Sequence, residues 1–196
     1  MIAAPIFLES GLDLVVEAAK AGINGAFPTP NARSPQILDA WLADITQRCQ
    51  GAPGGYAANL ILHASNARRE DDLARLVNHR VPWAITPVGS PVTVIERVRT
   101  YGGRVLADVA TIRHARKAID AGVDLLVLLT ADAGGTTTGR QVRAVQMAGA
   151  LLPLDAGDLA SWKTAWSAGC GVASIRDMRH VDERVHTLRQ EWLAVR

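Results

Sequence analysis

The sequence predicts an α/β protein built as an incomplete TIM-type (β/α) barrel. Short apolar runs alternate with longer amphipathic stretches along most of the chain. Several of the runs are apolar on both parities, as in Leu125-Leu126-Val127-Leu128-Leu129, the pattern of a strand covered on both faces in a parallel sheet. The repeat length of roughly twenty to thirty residues suits βα units. No G-x-G-x-x-G follows the first run, which disfavours a doubly wound dinucleotide-binding sheet.

The strands are expected at Ile2–Phe7, Asn24–Pro28, Tyr56–Leu62, Pro82–Thr86, Arg104–Val109 and Asp124–Thr130. Between them, Leu12–Ala21 has Leu14, Val15 and Ala18 at helical spacing and stops at Gly22, a C-terminal cap. Ser34 is placed to cap the next helix, with Pro35 in its first turn and Ile37, Leu38, Trp41, Leu42 and Ile45 on one face. Further helices are expected at Asp71–His79, Pro91–Tyr101 and Thr111–Ala121, the last ending at Gly122. About seven strands are expected in all, because a full barrel takes about 250 residues and this chain has 196.

A net charge of +2, scattered basic residues and 5% aromatics argue against nucleic acid or an anionic membrane as a partner. Cys49 and Cys170 are the only cysteines, so neither a disulfide framework nor a Cys-rich metal site is indicated. No apolar stretch is long enough to span a bilayer, and no basic segment precedes an apolar run at the N-terminus. A cytoplasmic location is the expectation.

In a barrel of this kind, chemistry gathers where strands end and loops begin. The most informative such segment is Ala131-Asp132-Ala133-Gly134-Gly135-Thr136-Thr137-Thr138-Gly139. Its Gly-Gly pair exposes backbone N–H groups to a planar or anionic ligand, although a plain turn would read the same way. Asn59 interrupts an otherwise apolar strand and needs hydrogen-bond partners, from the core or from a ligand. His63 stands near the end of that strand, where a histidine is more often a structural or surface residue than a catalyst. Asp108 could act as an acid or base, or cap a loop. Trp162 and Trp166 are spaced to pack as a helical stripe, and His180 and His186 sit among charges as on a solvated face.

Several segments, in order, resemble the nitronate monooxygenases, formerly 2-nitropropane dioxygenases. They include Ile2-Ala3-Ala4-Pro5-Ile6-Phe7-Leu8-Glu9-Ser10, Ala18–Pro28, Asn31-Ala32-Arg33, Ala57–His63, Val81–Thr86, Tyr101-Gly102-Gly103 and Leu106-Ala107-Asp108-Val109. Ala115–Ile119, the Ala133-Gly134-Gly135 loop and Trp166–Val172 continue the similarity. The resemblance implies an FMN-binding (β/α) barrel that oxidises alkyl nitronates with molecular oxygen. It implies that Asn59 contacts the flavin and that Gly134 and Gly135 bring backbone close to it.

Two departures qualify what the resemblance implies. Thr136 stands where the family has a histidine after the Gly-Gly pair, and a hydroxyl cannot exchange a proton near neutral pH as imidazole does. The catalytic residue is therefore unknown at this stage. Residues 140–160 also read as an internal shortening, removing material that carries a phosphate loop in such barrels. A C-terminal helical segment follows at 161–196 within a single-domain chain. The alternative function is a non-catalytic remnant or interaction subunit that has lost flavin-phosphate binding. A reductase using a nicotinamide donor ranks below both. No metal is expected, and pairing into a homo-oligomer would cover the edge of an unclosed sheet.

Overall fold

The computed structural model describes residues 1–129 and 177–194. The chain divides into two compact units, Met1–Val127 with Met178–Arg196, and Leu128–Asp177. The strands and helices described below belong to the first, apart from the last residue of its final strand.

Six strands form one sheet: β1 (Ile2–Ala3), β2 (Asn24–Pro28), β3 (Tyr56–Asn59), β4 (Trp83–Thr86), β5 (Arg104–Val109) and β6 (Leu125–Leu128). They pair in sequence order, all parallel, and the sheet curls into part of a barrel. A doubly wound sheet would reverse its strand order at a switch point, whereas here each crossover steps to the next strand in the same direction. The expected incomplete (β/α) barrel is therefore the observed fold. The strand material expected beyond β6 lies outside the described residues.

Helices α1 (Leu12–Lys20), α2 (Pro35–Arg48), α3 (Arg69–Asn78), α4 (Val92–Arg99) and α5 (Ile112–Ala121) are the crossovers, and α6 (Val181–Ala194) packs against α1. Local chemistry sets several boundaries where the sequence places them. Ser34 Oγ accepts the Ile37 N–H at 3.2 Å with Pro35 opening α2. Thr111 Oγ1 accepts the His114 N–H at 3.1 Å to open α5, and Gly122 closes it at φ 87°.

The core has two faces, and alternation along the strands separates them. Phe27, Ala58, Leu60, Ala84 and Val105 face outward and pack with the helix residues Val15, Leu38, Leu42, Leu73, Leu76 and Val98. Ala26, Ala57, Ile85 and Leu106 form a separate cluster with Trp83 and Val127, containing no helical residue, on the concave inner face. Gly25 lets α1 settle onto β2, because a Cβ there would lie 2.6 Å from the Val15 Cα.

The first and third strands fall well short of the runs that the sequence suggests. The run Ile2–Phe7 pairs with β2 only through Ile2 and Ala3. Pro5 then has no N–H to donate, and the chain turns so that the Ser10 N–H reaches Ile6 O at 3.0 Å. The run Tyr56–Leu62 is regular only to Asn59, although Leu60 and Leu62 still donate to Ile85 O and Pro87 O. Among the described residues no helix is long and apolar enough to cross a membrane.

Candidate functional site at the C-terminal ends of the strands

The inner face changes character from one end of the sheet to the other. Ala26, Ala57, Trp83 and Arg104 share one register level, with the Arg104 guanidinium 5.2 Å from the Trp83 ring centre. Pro28, Asn59, Ile85 and Leu106 make the next level toward the strand C-termini. Asp108 lies two residues beyond Leu106 on β5 and so on the same face, one level higher. The apolar interior thus ends in two polar side chains, Asn59 from β3 and Asp108 from β5.

Both of these side chains carry a buried oxygen, Oδ1 in each case, that has no hydrogen-bond partner among the described residues. Unmet acceptors are rare in folded proteins and call for a specific explanation. Burial, with no compensating donor or cation, pushes the Asp108 carboxyl up to about 6. Thr29 Oγ1, fully buried just after β2, is a third orphan nearby in sequence order. These positions lie at the end of the barrel where ligands of this fold are bound.

The loops around this end are tied down by side chains whose roles are structural. Asn31, in the 3-10 turn Thr29–Asn31, donates through Nδ2 to Ile6 O at 3.1 Å and Ser10 O at 2.9 Å. Its Oδ1 accepts the Leu8 N–H at 3.0 Å. Arg33 lies 5.8 Å from the centre of the Phe7 ring in the same loop. After β4, Val88 and Gly89 take positive φ, and a Cβ on Gly89 would sit 2.6 Å from the Leu62 Cβ. Glycine is required there for both reasons.

His63 does not join Asn59 and Asp108. It is exposed, and its Nδ1 accepts the Ser65 N–H at 3.2 Å and lies 2.8 Å from Ser65 Oγ. Behind the β3 loop, Arg68 donates to Asp72 Oδ1 at 3.0 Å and to Ala32 O at 2.9 Å. Asp72 is buried on the helical side, away from the inner face. His180 and His186 are exposed, as a solvated helical face requires. Thr136, Gly134, Gly135, Trp162, Trp166, Cys170 and the shortening at 140–160 lie outside the described residues.

A cavity of about 450 Å³ opens at the opposite end of the unit, beside Met1, Ile23, Val185 and Arg189. Barrel chemistry is not found at that end. Among the described residues no group of three His, Cys, Asp or Glu side chains could hold a metal ion.

No protein-family model and no curated protein matches the chain. Solved structures do. FabK from Thermotoga maritima superposes with a TM-score of 0.59 at 20% identity, over 68% of this chain and 41% of that one. Nitroalkane oxidase from Streptomyces ansochromogenes gives 0.54 at 19% identity, over 73% of this chain and 51% of that one. The chain thus spans about half the length of these structures or less. At this level of identity the likeness establishes architecture, and the chain shares the (β/α)-barrel fold of these two proteins.

Proposed function

We propose that the chain is an FMN-dependent oxidoreductase that oxidises alkyl nitronates with molecular oxygen. The observation that carries this reading is Asn59 Oδ1, a buried acceptor without a partner among the described residues, at the C-terminal end of an inner-face strand. A flavin ring offers an imide N–H of the kind that such an acceptor needs. The residues described therefore fit the ring. Asn59 would hold its polar edge, above the packed inner-face cluster of Ala26, Ala57, Ile85 and Leu106. The resemblance implies that Gly134 and Gly135 also bring backbone close to a flavin.

When bound, the flavin supplies the redox chemistry, and the protein contributes orientation and exclusion of competing reactions. The bonds that Asn31 makes to Ile6, Leu8 and Ser10 hold the β1 loop beside the strand ends, which keeps one wall of the site in place. The solved neighbours support the reading through their fold, and one of them is named as a nitroalkane oxidase. The homo-oligomer expected from the open sheet remains part of the proposal, as an assembly that covers an edge strand.

A second reading is favoured by one feature. Thr136 replaces the histidine that the resembled family has, which suits a scaffold that has lost catalysis. Anaerobic mixing of FMN-loaded protein with an alkyl nitronate separates the two. Bleaching of the flavin, followed by recovery on admitting oxygen, is expected for the oxidoreductase. Unchanged flavin absorbance, or no bound flavin at all, assigns the chain to the scaffold reading.

A further inference from the structure

We propose that the cavity between α6 and the turn from α1 to β2 binds a small monocarboxylate with an apolar body, of the kind a free medium-chain fatty acid presents. The inference goes beyond the oxidoreductase reading and is independent of it. The cavity lies at the opposite end of the strands from Asn59 and Asp108.

Helical spacing builds one wall. Val185, Arg189 and Trp192 stand four and three residues apart, so they share one face of α6. The facing wall is the end of α1, where Ala21 caps the helix, Gly22 turns at φ 87° without a side chain, and Ile23 leads into β2. Met1 adds a further apolar side chain. The enclosed volume of about 450 Å³ suits a small organic molecule, for which pockets of roughly 300–1,000 Å³ are usual.

The polar groups of the cavity decide what that molecule is. Carbonyls at the end of α1 are already used: Ala18 O accepts the Ile23 N–H at 3.1 Å, and Ala19 O accepts from Gly22 at 3.1 Å and Gly54 at 2.9 Å. These bonds cover the negative end of the helix. Arg189 is then the one charged side chain among the described residues of the lining. Its guanidinium has no hydrogen bond or ion pair among the described residues. A planar carboxylate matches the guanidinium fork, and an aliphatic body matches the walls. An adjoining cavity also reaches Arg189 but is lined by Asp182 and Glu183, whose carboxylates disfavour an anion there.

Binding would fasten α6 to the barrel. Val185 is the one side chain that α6 buries, so the helix has little apolar contact of its own to hold it. A ligand touching both walls stabilises the docked helix by mass action.

The test is calorimetric titration of the full chain with sodium octanoate below its micellar concentration, followed by amide hydrogen exchange. Saturable binding is expected, with slower exchange in residues 181–194 and 21–23. Octanol, which keeps the chain and drops the charge, should bind about tenfold more weakly, and octylamine more weakly again. Arg189→Gln should lower octanoate affinity about tenfold, Arg189→Lys should fall between, and Arg179→Gln, which lines only the adjoining cavity, should change nothing. Absence of saturable binding, equal affinity for octanol, or unaltered affinity in Arg189→Gln overturns the proposal. Sedimentation with phosphatidylglycerol vesicles, without protection of α6 by octanoate, also overturns it and assigns the face to a lipid surface. Should Arg189→Gln fail to fold by circular dichroism, Arg189→Lys and the octanol comparison decide. Excess FMN should leave octanoate affinity unchanged, and competition between the two would place octanoate at the strand ends instead.

Discussion

Asn31 accepts the Leu8 backbone N–H through Oδ1 at 3.0 Å, joining the end of β2 to a loop residue held at a φ of 71°. The same amide donates to Ile6 O and Ser10 O, so one buried side chain satisfies three main-chain groups of the β1 loop. Asn31→Ala removes all three bonds and leaves those groups short of partners. A loss of roughly 2–4 kcal/mol is expected, read as a lower denaturant midpoint at unchanged slope. Asn31→Asp keeps the acceptor for Leu8 but sets a carboxylate against two carbonyls, so it should not restore stability. Full stability in Asn31→Ala would remove the clamp from the account of the site.

Asp108 gives the folded protein a pH dependence of defined sign. Its carboxyl rises to about 6 in the folded chain, from about 4 when unfolded. Between these values the folded state binds more protons than the unfolded state, so stability falls as pH rises through the interval. Above about 6 the buried charge is fully present and the penalty is constant. Asp108→Asn should flatten this part of the stability–pH curve and be at least as stable as the unaltered protein at pH 7. Denaturant titrations at pH values from about 4 to 7 test it. A variant whose curve parallels that of the unaltered protein would show that Asp108 is not the titrating group.

The Arg68–Asp72 pair should behave as a buried ion pair does. Asp72 is 1% exposed and depends on the Arg68 guanidinium 3.0 Å away. Arg68→Met strands that carboxylate and is expected to destabilise by about 3–5 kcal/mol. Replacing both residues, with Arg68→Met and Asp72→Leu, should recover much of the loss, because no buried charge is left. Similar midpoints for the single and double variants would contradict the pairing.

Much of the barrel is legible in the sequence because its determinants are local. Ser34-Pro35 and Thr111 mark helix starts through bonds reaching only three residues along the chain. The inner and outer faces follow from alternation in β3 and β5. Asn59 stands out in the sequence as a polar residue in an apolar run, while the lack of a partner for its Oδ1 among the described residues is visible only in the structure. The β1 loop reads as strand in the sequence, since what turns it is Asn31, more than twenty residues away, together with the missing N–H of Pro5. The start of α3 comes at Arg69 rather than Asp71, because Asn66 caps the preceding turn by accepting the Arg68 N–H at 3.1 Å. Asp108 was ambiguous in the sequence because its desolvation depends on neighbouring strands. Thr29, unremarkable as a turn residue, becomes notable only once its hydroxyl is seen to be buried without a partner among the described residues.

Retention of flavin tests the central claim most directly. The full chain is mixed with excess FMN, the excess is removed, and the absorbance spectrum is recorded beside that of Asn59→Leu, with circular dichroism to establish folding. Bands near about 370 and 450 nm should stay with the unaltered protein, and Asn59→Leu should bind FMN about tenfold more weakly, as loss of one buried hydrogen bond implies. A folded, colourless protein under these conditions would contradict the flavin site at the ends of β2, β3 and β5.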